Sequence, residues 1–373
     1  MQILYDRILL WIIFGLITIG FIMVFSASIP IGQRLMEDPF YFIKRDILYI
    51  IFSLLFSLII IQIPMIIWEK YSSIFFIFSL IMLIFVLFVG ESINGAARWI
   101  DIGIIKIQPA EFSKLTLFCY FSSYLNRKSN EINTKLFCFI KSIFILIITS
   151  TLLFIQPDLG TVIILVVTTL GLLFLAGVQL CPLIISISII IFGIFLLILF
   201  EPYRWNRIIS FLNPWKDPFN TGYQLTQSLM AFGRGKLFGQ GLGNSIQKLE
   251  YLPEAHTDFI FSVLAEELGF LGVLLILIML FVLSFKAMII GKNALMLKKT
   301  FNGYFAYSIA IWFIFQSLIN IGATSGILPT KGLTLPLISY GGSSFLIMLI
   351  TMSLLLRIDF ETRLKKTIIY KDL

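Results

Sequence analysis

An aspartate and a histidine lie close together where a long polar segment enters an apolar run. Asp258 is the last residue before that run, and His256, the only histidine of the chain, lies two residues earlier. Either side chain can serve as a general base, and the ordinary histidine pKa of about 6.5 suits proton transfer at neutral pH. Aspartate is also a favoured helix N-cap, so a capping role is open for Asp258, and capping would still orient its carboxylate.

Further ionisable residues lie within other apolar runs. Glu111 and Lys114 are three residues apart, so a helix presents both on the same face. They form either a local ion pair at the membrane interface or the lining of a cavity, because ionisable groups at membrane depth are costly and often functional. Glu266 and Glu267 are equally costly within their run, and we expect them to pair with buried basic or polar groups. We assign these two glutamates no catalytic role.

The segment 329–344 has a composition that an ordinary membrane-spanning helix does not use. It combines two prolines, one lysine (Lys331), three glycines and several hydroxyl side chains. Ser339 and Ser343 flank Gly341 and Gly342, and small residues let another helix or a ligand approach the backbone closely. Helix packing and ligand contact are therefore both open for this segment.

The elements that position these residues are expected to be membrane-spanning helices. The 373 residues are 59% hydrophobic and 13% charged, with a mean hydropathy of +0.99, whereas soluble domains are about half apolar and about a quarter charged. Only helices satisfy their own backbone hydrogen bonds in a bilayer without closing into a barrel. The sequence predicts an all-α polytopic membrane protein with about ten transmembrane helices, roughly at 8–28, 47–63, 74–90, 109–125, 139–155, 159–176, 183–200, 259–285, 303–323 and 338–357.

Ten spans place both termini on the same side of the membrane. The loops on that side hold more lysine and arginine once segment 201–258 is discounted, because long segments contribute little to the positive-inside rule. We therefore expect cytoplasmic termini and one large periplasmic or extracellular loop, about 201–258, between helices 7 and 8. The net charge of +8 then favours contact with anionic membrane lipids at the inner face, not with nucleic acid. The first run is expected to remain as a span, and residues 1–373 to form a single domain.

The long outer loop 201–258 is expected to contain ordered structure. Leu225, Leu229 and Phe232 recur at the spacing of a helical face, which predicts a short amphipathic helix with Thr221 as its N-cap. This helix either lies on the outer membrane face or covers the helix bundle. The glycines of segment 239–244 lack the spacing of a nucleotide-binding loop, so we expect them in tight turns.

Five short motifs, in the same order along the chain, resemble the signature of the SEDS family of membrane proteins (shape, elongation, division and sporulation). Residues 5–7, before the first span, and residues 251–256 are most similar to the cell-division branch of that family rather than to its elongation branch. The five motifs are Asn94–Trp99, Gln108–Glu111, Gln156–Gly160, Pro253–Phe259 and a spaced pattern from Asn320 to Ser344.

The resemblance implies a peptidoglycan glycosyltransferase that polymerises lipid II into glycan strands during septal cell-wall synthesis and releases undecaprenyl pyrophosphate. In this family the aspartate that matches Asp258 is the proposed catalytic residue, and the pair that matches Glu111 and Lys114 is thought to lie beside it. Arg98 and Lys331 are then expected at the diphosphate together with Lys114, because a pyrophosphate group needs several positive partners. A divalent cation, Mg²⁺ or Mn²⁺, is an open prediction, with Glu111 and Asp258 as its ligands. The secondary candidates are His256, Ser339 and Ser343.

The resemblance also implies a location and partners. We expect a multi-pass protein of the bacterial cytoplasmic (inner) membrane, at the division septum. Its expected partners are lipid II, undecaprenyl-linked glycan, a class B penicillin-binding transpeptidase of the divisome and division regulators. Two other functions are weighed, a lipid II flippase and a non-catalytic divisome scaffold. A flippase needs polar groups on both sides of the membrane midplane, whereas the candidates here cluster at the outer ends of the predicted spans. The intact motifs argue against a scaffold.

Overall fold

The apolar runs of the sequence become long helices in the structure. The computed structural model describes residues 5–93, 96–101, 103, 106–129, 131, 136–199, 205 and 209–371. In chain order the helices of these ranges are α1 (Arg7–Met36), α2 (Tyr41–Ile60), α3 (Met65–Val89), α4 (Pro109–Arg127), α5 (Leu136–Ile155), α6 (Leu159–Leu175), α7 (Leu180–Leu199), α8 (Tyr223–Gly235), α9 (Ile260–Met296), α10 (Thr300–Thr324) and α11 (Gly342–Lys371).

Six of the described helices are long and apolar enough to cross a membrane, namely α1, α3, α5, α9, α10 and α11. The described parts of α6 and α7 are also apolar but shorter. The helices α2 and α4 carry charged residues within their length, for example Asp46 and Lys114. This architecture agrees with the predicted all-α polytopic class, while the count of ten spans and the side of the termini remain predictions.

Several helices extend beyond the apolar runs that predicted them. α1 begins after Asp6, whose Oδ1 accepts hydrogen bonds from the N–H groups of Ile8 (2.9 Å) and Leu9 (3.2 Å). It continues to Met36, well past residue 28, and α9 and α11 likewise run past their predicted ends. Hydropathy marks only the apolar part of a helix, so polar turns that project from a membrane are missed.

A small antiparallel sheet, which the sequence patterns did not predict, lies between α3 and α4. It consists of β1 (Glu91–Ile93), β2 (Ala96–Asp101) and β3 (Lys106–Ile107) in the order β1-β2-β3. β1 pairs Glu91 with Trp99 but Ser92 with Ala97, so Arg98 is an extra residue in β2. Such a bulge re-aims a side chain. The motif residues Asn94 and Gly95 lie outside the described residues.

The predicted amphipathic helix of the outer loop is present as α8, but its cap was wrongly assigned. α8 begins at Tyr223 with Gly222 at the N-cap position, while the N–H and hydroxyl of Thr221 donate to Oδ2 of Asp217 at 3.2 and 3.1 Å. The helix packs against α9, and a Cβ added at Gly235 would lie 1.9 Å from the carbonyl oxygen of Ala265. Of the two interpretations, the structure favours a helix that covers the bundle.

α9 is interrupted at Gly269, which has φ +67° and ψ −167°. Only glycine adopts this conformation readily. The segment before the break pairs with the outer loop, because Gln240 and Gly241 donate backbone hydrogen bonds to the carbonyls of Glu266 (2.9 Å) and Glu267 (3.0 Å). As predicted, the loop glycines stand in turns, with positive φ at the residues Gly239, Gly241 and Gly243.

Both glutamates in the first part of α9 have the structural partners that the sequence predicted. Lys248 donates to Oε1 of Glu267 at 2.7 Å, and the hydroxyl of Ser26 on α1 donates to both oxygens of that carboxylate. Glu266 accepts from the backbone N–H of Ile246 (3.1 Å) and the Ser245 hydroxyl, so these carboxylates hold the loop between α8 and α9 onto α1 and α9.

The core of the bundle is built around α10, which packs against α4, α6, α9 and α11. Trp312 and Phe313 of α10 are fully or almost fully buried, and the ring of Trp312 lies 5.4 Å from that of Phe118 on α4. The polar residues Gln316 and Asn320 interrupt this apolar helix one and two turns after Trp312. The fold therefore places two buried carboxamides at the centre of the bundle.

Candidate functional site

Glu111 and Lys114 form a buried ion pair in the first turns of α4, which is one of the two interpretations that their spacing left open. The Lys114 ammonium lies 2.8 Å from Oε1 of Glu111, and the two side chains are 0% and 6% exposed. The second carboxylate oxygen, Oε2, is buried and has no hydrogen-bond partner in the described part of the chain. A half-satisfied buried carboxylate is costly, so its open oxygen faces a place where a further partner is favourable.

Gln316 of α10 holds the lysine of this pair from the other side. Its Oε1 accepts from Lys114 Nζ (3.2 Å) and from the indole N–H of Trp312 (2.7 Å), and the ammonium lies 5.2 Å from the Trp312 ring centroid. Both donors fix the direction of the amide, so Nε2 faces the carbonyl of Thr334 at 2.9 Å. Lys114 is thus held by one anion, one amide and one aromatic face.

Asp258 lies on the same side of α10, one turn further along. Its backbone carbonyl accepts a hydrogen bond from Nδ2 of Asn320 at 2.8 Å. Its carboxylate lies against Gly332, where an added Cβ would be 2.8 Å from Oδ2. Asp258 is half-buried. The structure therefore brings Asp258 beside the segment that carries Lys331.

Asp258 does not occupy the N-cap position, which was one of the two roles left open for it. α9 begins at Ile260 with Phe259 at the N-cap position, and no side-chain hydrogen bond caps it. The turn before the helix is held instead by backbone hydrogen bonds from Thr257 (3.2 Å) and Phe259 (3.1 Å) to the carbonyl of Glu254. Asp258 therefore lies one residue before the N-cap position of α9.

His256 is buried beneath the site, between the rings of Phe42 (4.9 Å) and Tyr340 (5.5 Å). Burial lowers its pKa below the ordinary value, although the Glu254 charge opposes this shift. The imidazole is therefore neutral at pH 7, and its Nδ1 has no hydrogen-bond partner among the described residues. Since His256 is 8% exposed, Asp258 is the more accessible of the two bases.

The hydroxyl groups of segment 329–344 make contacts within the protein. Ser339 accepts from the N–H of Leu335 at 2.8 Å and closes a turn. Ser343 accepts from the N–H of Gln108 (3.1 Å) and donates to the carbonyl of Lys106 (2.5 Å), which ties α11 to the start of α4. A Cβ added at Gly342 would lie 2.3 Å from the Tyr49 ring of α2. These contacts favour helix packing for the segment, while the site role of both serines stays a prediction.

The hydrogen bonds of Arg98 lead to the connection between α5 and α6. Its Nε donates to the carbonyl of Gln156 at 3.0 Å and its Nη2 to that of Pro157 at 2.6 Å. Two of the resemblance motifs, Asn94–Trp99 and Gln156–Gly160, are thereby joined. Contact of Arg98 with a diphosphate stays a prediction, as does that of Lys331.

A cation site with three or more His, Cys, Asp or Glu ligands is not found in the described part of the chain. The buried Oε2 of Glu111 and the carboxylate of the half-buried Asp258 are oxygen donors of the type that Mg²⁺ and Mn²⁺ prefer. These groups suit the predicted cation chemically, and the divalent cation remains a prediction.

Sequence reasoning missed the hydrogen-bonding roles of Gln316 and Asn320. Their signal was present, since two carboxamides four residues apart inside an apolar run are costly without partners. Their partners, the carbonyls of segment 329–344 and the residues of α4, are distant in sequence. Spacing along α10 could have identified the pair, but not what it binds.

Comparison with known proteins gives a consistent result over nearly the whole chain. The family model FTSW_RODA_SPOVE, described as cell cycle protein, matches residues 7–364. A probable peptidoglycan glycosyltransferase FtsW of Escherichia coli O6:H1 is 58% identical over 98% of this chain and 88% of the relative. The FtsW of Buchnera aphidicola subsp. Acyrthosiphon pisum, named in the same way, is 55% identical over 97% of this chain and 91% of that protein.

Two solved structures share the fold. One chain of a peptidoglycan synthase complex, studied for the coordination of polymerization and crosslinking, superposes with a TM-score of 0.80 at 24% identity, over 96% of this chain and 98% of the other. The rod shape determining protein RodA of Thermus thermophilus gives a TM-score of 0.71 at 25% identity, over 95% and 96% of the two chains. The match of the family model, together with relatives more than half identical along almost their full length, shows that this chain belongs to the FtsW/RodA/SpoVE family of cell cycle proteins.

Proposed function

We propose that this protein is a peptidoglycan glycosyltransferase that polymerises lipid II during cell division. The observation that carries the proposal is a connected polar site inside an apolar bundle. Two carboxamides on one face of α10 contact the proposed groups: Asn320 donates to the backbone carbonyl of Asp258, and Gln316 accepts from Lys114 of the buried pair Glu111–Lys114. The relatives named as probable peptidoglycan glycosyltransferase FtsW support the same activity for this chain.

The proposed reaction uses Asp258 as the general base. Its carboxylate accepts the proton of the sugar 4-hydroxyl of one lipid-linked disaccharide while that oxygen bonds to the anomeric carbon of the growing strand. The bond from the anomeric carbon to the diphosphate breaks, and undecaprenyl pyrophosphate leaves with the electron pair. A positioned base and positive charge at the leaving group both lower such a barrier. Lys114, Arg98 and Lys331 are the proposed cations at the diphosphate.

The proposal includes a membrane arrangement. Ten spans with cytoplasmic termini place α8, the sheet and segment 325–341 at the outer face of the bacterial inner membrane, where the polar part of lipid II stands. The cluster of candidate residues at one end of the bundle supports this orientation. A class B penicillin-binding transpeptidase of the divisome is the proposed partner, which the likeness to one chain of a peptidoglycan synthase complex supports.

The test is polymerisation of purified lipid II by the full chain reconstituted with its cognate transpeptidase. Glycan ladders on a gel are compared for the native protein and for Asp258→Ala and Asp258→Asn. We expect glycan ladders from the native protein and none from either variant. All three proteins should insert into the membrane to the same extent. Near-normal ladders from Asp258→Asn exclude Asp258 as the base.

The same vesicles distinguish the alternative of a flippase. If the native protein yields no ladders while labelled lipid II crosses the membrane, the chain is a transporter. If neither activity is found and the transpeptidase is still recruited, the scaffold interpretation is correct.

A further inference from the structure

Gln316 and Asn320 bind two consecutive carbonyl groups of the segment that follows α10. Gln316 Nε2 donates to the carbonyl of Thr334 at 2.9 Å, and Asn320 Nδ2 donates to that of Leu333 at 2.5 Å. The two residues are four apart, so they lie on the same face of α10. They are 0% and 1% exposed, which makes each of these hydrogen bonds a contact inside the protein. The two carboxamides therefore fix the position of residues 333–334 along α10.

The other contacts of each carboxamide lead to the proposed catalytic groups. Gln316 Oε1 accepts from Lys114, and the second N–H of the Asn320 amide donates to the carbonyl of Asp258. Asn320 thus uses both protons of its amide, one toward Asp258 and one toward Leu333. The Asp258 carboxylate also lies against this segment, since a Cβ added at Gly332 would be 2.8 Å from its Oδ2.

We propose that Gln316 and Asn320 are positioning residues, a pair of carboxamides that hold Lys114 and Asp258 in register with segment 331–334. This inference rests on the proposed function and adds two residues to it. Neither side chain touches the reacting atoms in this proposal. Their effect is geometric, and a displacement of about 1 Å in a reacting group costs roughly 100-fold in rate.

Aspartate at position 320 is the sharpest variant, because it keeps the shape of asparagine and loses its donors. An ionised carboxylate only accepts hydrogen bonds, so it would repel the carbonyls of Asp258 and Leu333. A protonated carboxyl can donate one hydrogen bond. The ionisable residue in contact with this position is Asp258, through its backbone carbonyl, and the pair Glu111–Lys114 contacts Gln316 one turn away. These groups titrate in the native protein as well. The ratio of the Asn320→Asp kcat to the native kcat, measured at each pH, therefore reports the titration of the new carboxyl.

The experiment measures lipid II polymerisation by the full chain with its transpeptidase, for the native protein and for Asn320→Asp, Asn320→Ala and Ser317→Ala. Ser317 is the matched control, since it is buried on the same part of α10 and its hydroxyl donates to Phe313 within the helix. We expect Asn320→Asp to lose about 100-fold in kcat with little change in KM. The loss should shrink as pH falls, whereas the loss in Asn320→Ala should not. Ser317→Ala should match the native protein.

Gln316→Glu tests the other carboxamide. It keeps an acceptor for Lys114 and loses the donor toward Thr334, so kcat should again fall while KM is retained. Thermal unfolding of each purified variant is measured alongside, and only variants that unfold near the native temperature are compared.

Several outcomes overturn the positioning proposal. These are native turnover in Asn320→Asp, a loss confined to KM, equal pH dependence of the two Asn320 variants, or an equal loss in Ser317→Ala. The proposed function fails separately, if the native protein makes no glycan or if Asp258→Ala is as active as the native chain.

Discussion

Two buried ion pairs in this protein differ in how completely their carboxylates are satisfied. Lys248, in the loop before α9, pairs with Glu267 of α9, whose Oε1 accepts from Lys248 and whose two oxygens share the single hydroxyl proton of Ser26. Glu111 of α4 accepts at Oε1 from Lys114, but its buried Oε2 has no partner in the described part of the chain. The two pairs are similar in distance and burial.

This difference distinguishes a pair with a structural role from a pair whose carboxylate can still bind a ligand. A fully hydrogen-bonded buried carboxylate has nothing left to offer a ligand, whereas an open oxygen beside a cation has. Two further buried atoms without a partner among the described residues, His256 Nδ1 and Asn320 Oδ1, belong to residues that contact Tyr340 or Asp258. Such atoms also occur in other helices, for example at Ser53 and Thr168, so the cation beside Glu111 is what distinguishes this pair.

Removing both charges of each pair is the most direct test of the difference between the two pairs. We expect the double variant Glu111→Gln with Lys114→Met to lose polymerisation by about 100- to 1,000-fold, because a positioned charge at the reaction is lost. Its folding should be nearly unaffected, since deleting a whole buried pair avoids leaving one charge alone. The measurements are lipid II polymerisation and thermal unfolding of the purified protein.

The matched control is Glu267→Gln with Lys248→Met, which removes the other pair in the same way. It should retain polymerisation within about twofold of the native level, because only a structural contact changes. Equal loss of activity in both double variants would show that the distinction between the pairs is wrong.

Removing one charge of the structural pair should instead affect folding. Lys248→Met leaves Glu267 buried without its cation, and we expect a loss of about 3–5 kcal/mol in the free energy of unfolding. Restoring neutrality with Glu267→Gln should recover most of that loss. Arg34→Ala is the exposed control, since Arg34 binds Glu250 of the same loop with a side chain that is 59% exposed, and it should cost less than about 1 kcal/mol. A stable Lys248→Met protein would contradict a structural role for the pair.

The smallest effect is expected from the titration of His256. Because its folded-state pKa is lowered by burial, the unfolded chain binds more protons between that pKa and the ordinary value of about 6.5. Stability contributed by the neutral ring is therefore present above about pH 6.5 and is lost as pH falls toward the folded-state pKa, by at most about 1.4 kcal/mol per pH unit.

Thermal unfolding between pH 5 and 8 checks this for the native chain and for His256→Phe, which retains an aromatic ring between Phe42 and Tyr340. The variant should show a flatter pH dependence at the acidic end. The same slope in both proteins would mean that folding does not shift the pKa of His256.

Much of the architecture follows from sequence patterns with a direct physical cause. The i, i+3 spacing of Glu111 and Lys114 places them on one helical face, and the structure confirms their ion pair. The periodicity of Leu225, Leu229 and Phe232 predicted α8, although its cap was misplaced, because Gly222 needs no side-chain hydrogen bond to precede a helix. The sheet at residues 91–107 was missed, since its strands are too short to show alternation.

The sequence by itself determined that the chain is a helical membrane protein of a recognisable family, because apolar length and local motifs are properties of contiguous residues. Only the tertiary structure decided which polar residues meet. Asp258 and Lys114 form hydrogen bonds with Asn320 and Gln316, respectively, and the Glu267 carboxylate accepts hydrogen bonds from Ser26 and Lys248. These partners are up to 241 residues apart, and hydrogen bonding depends on distance and direction in space, which spacing along one helix cannot supply.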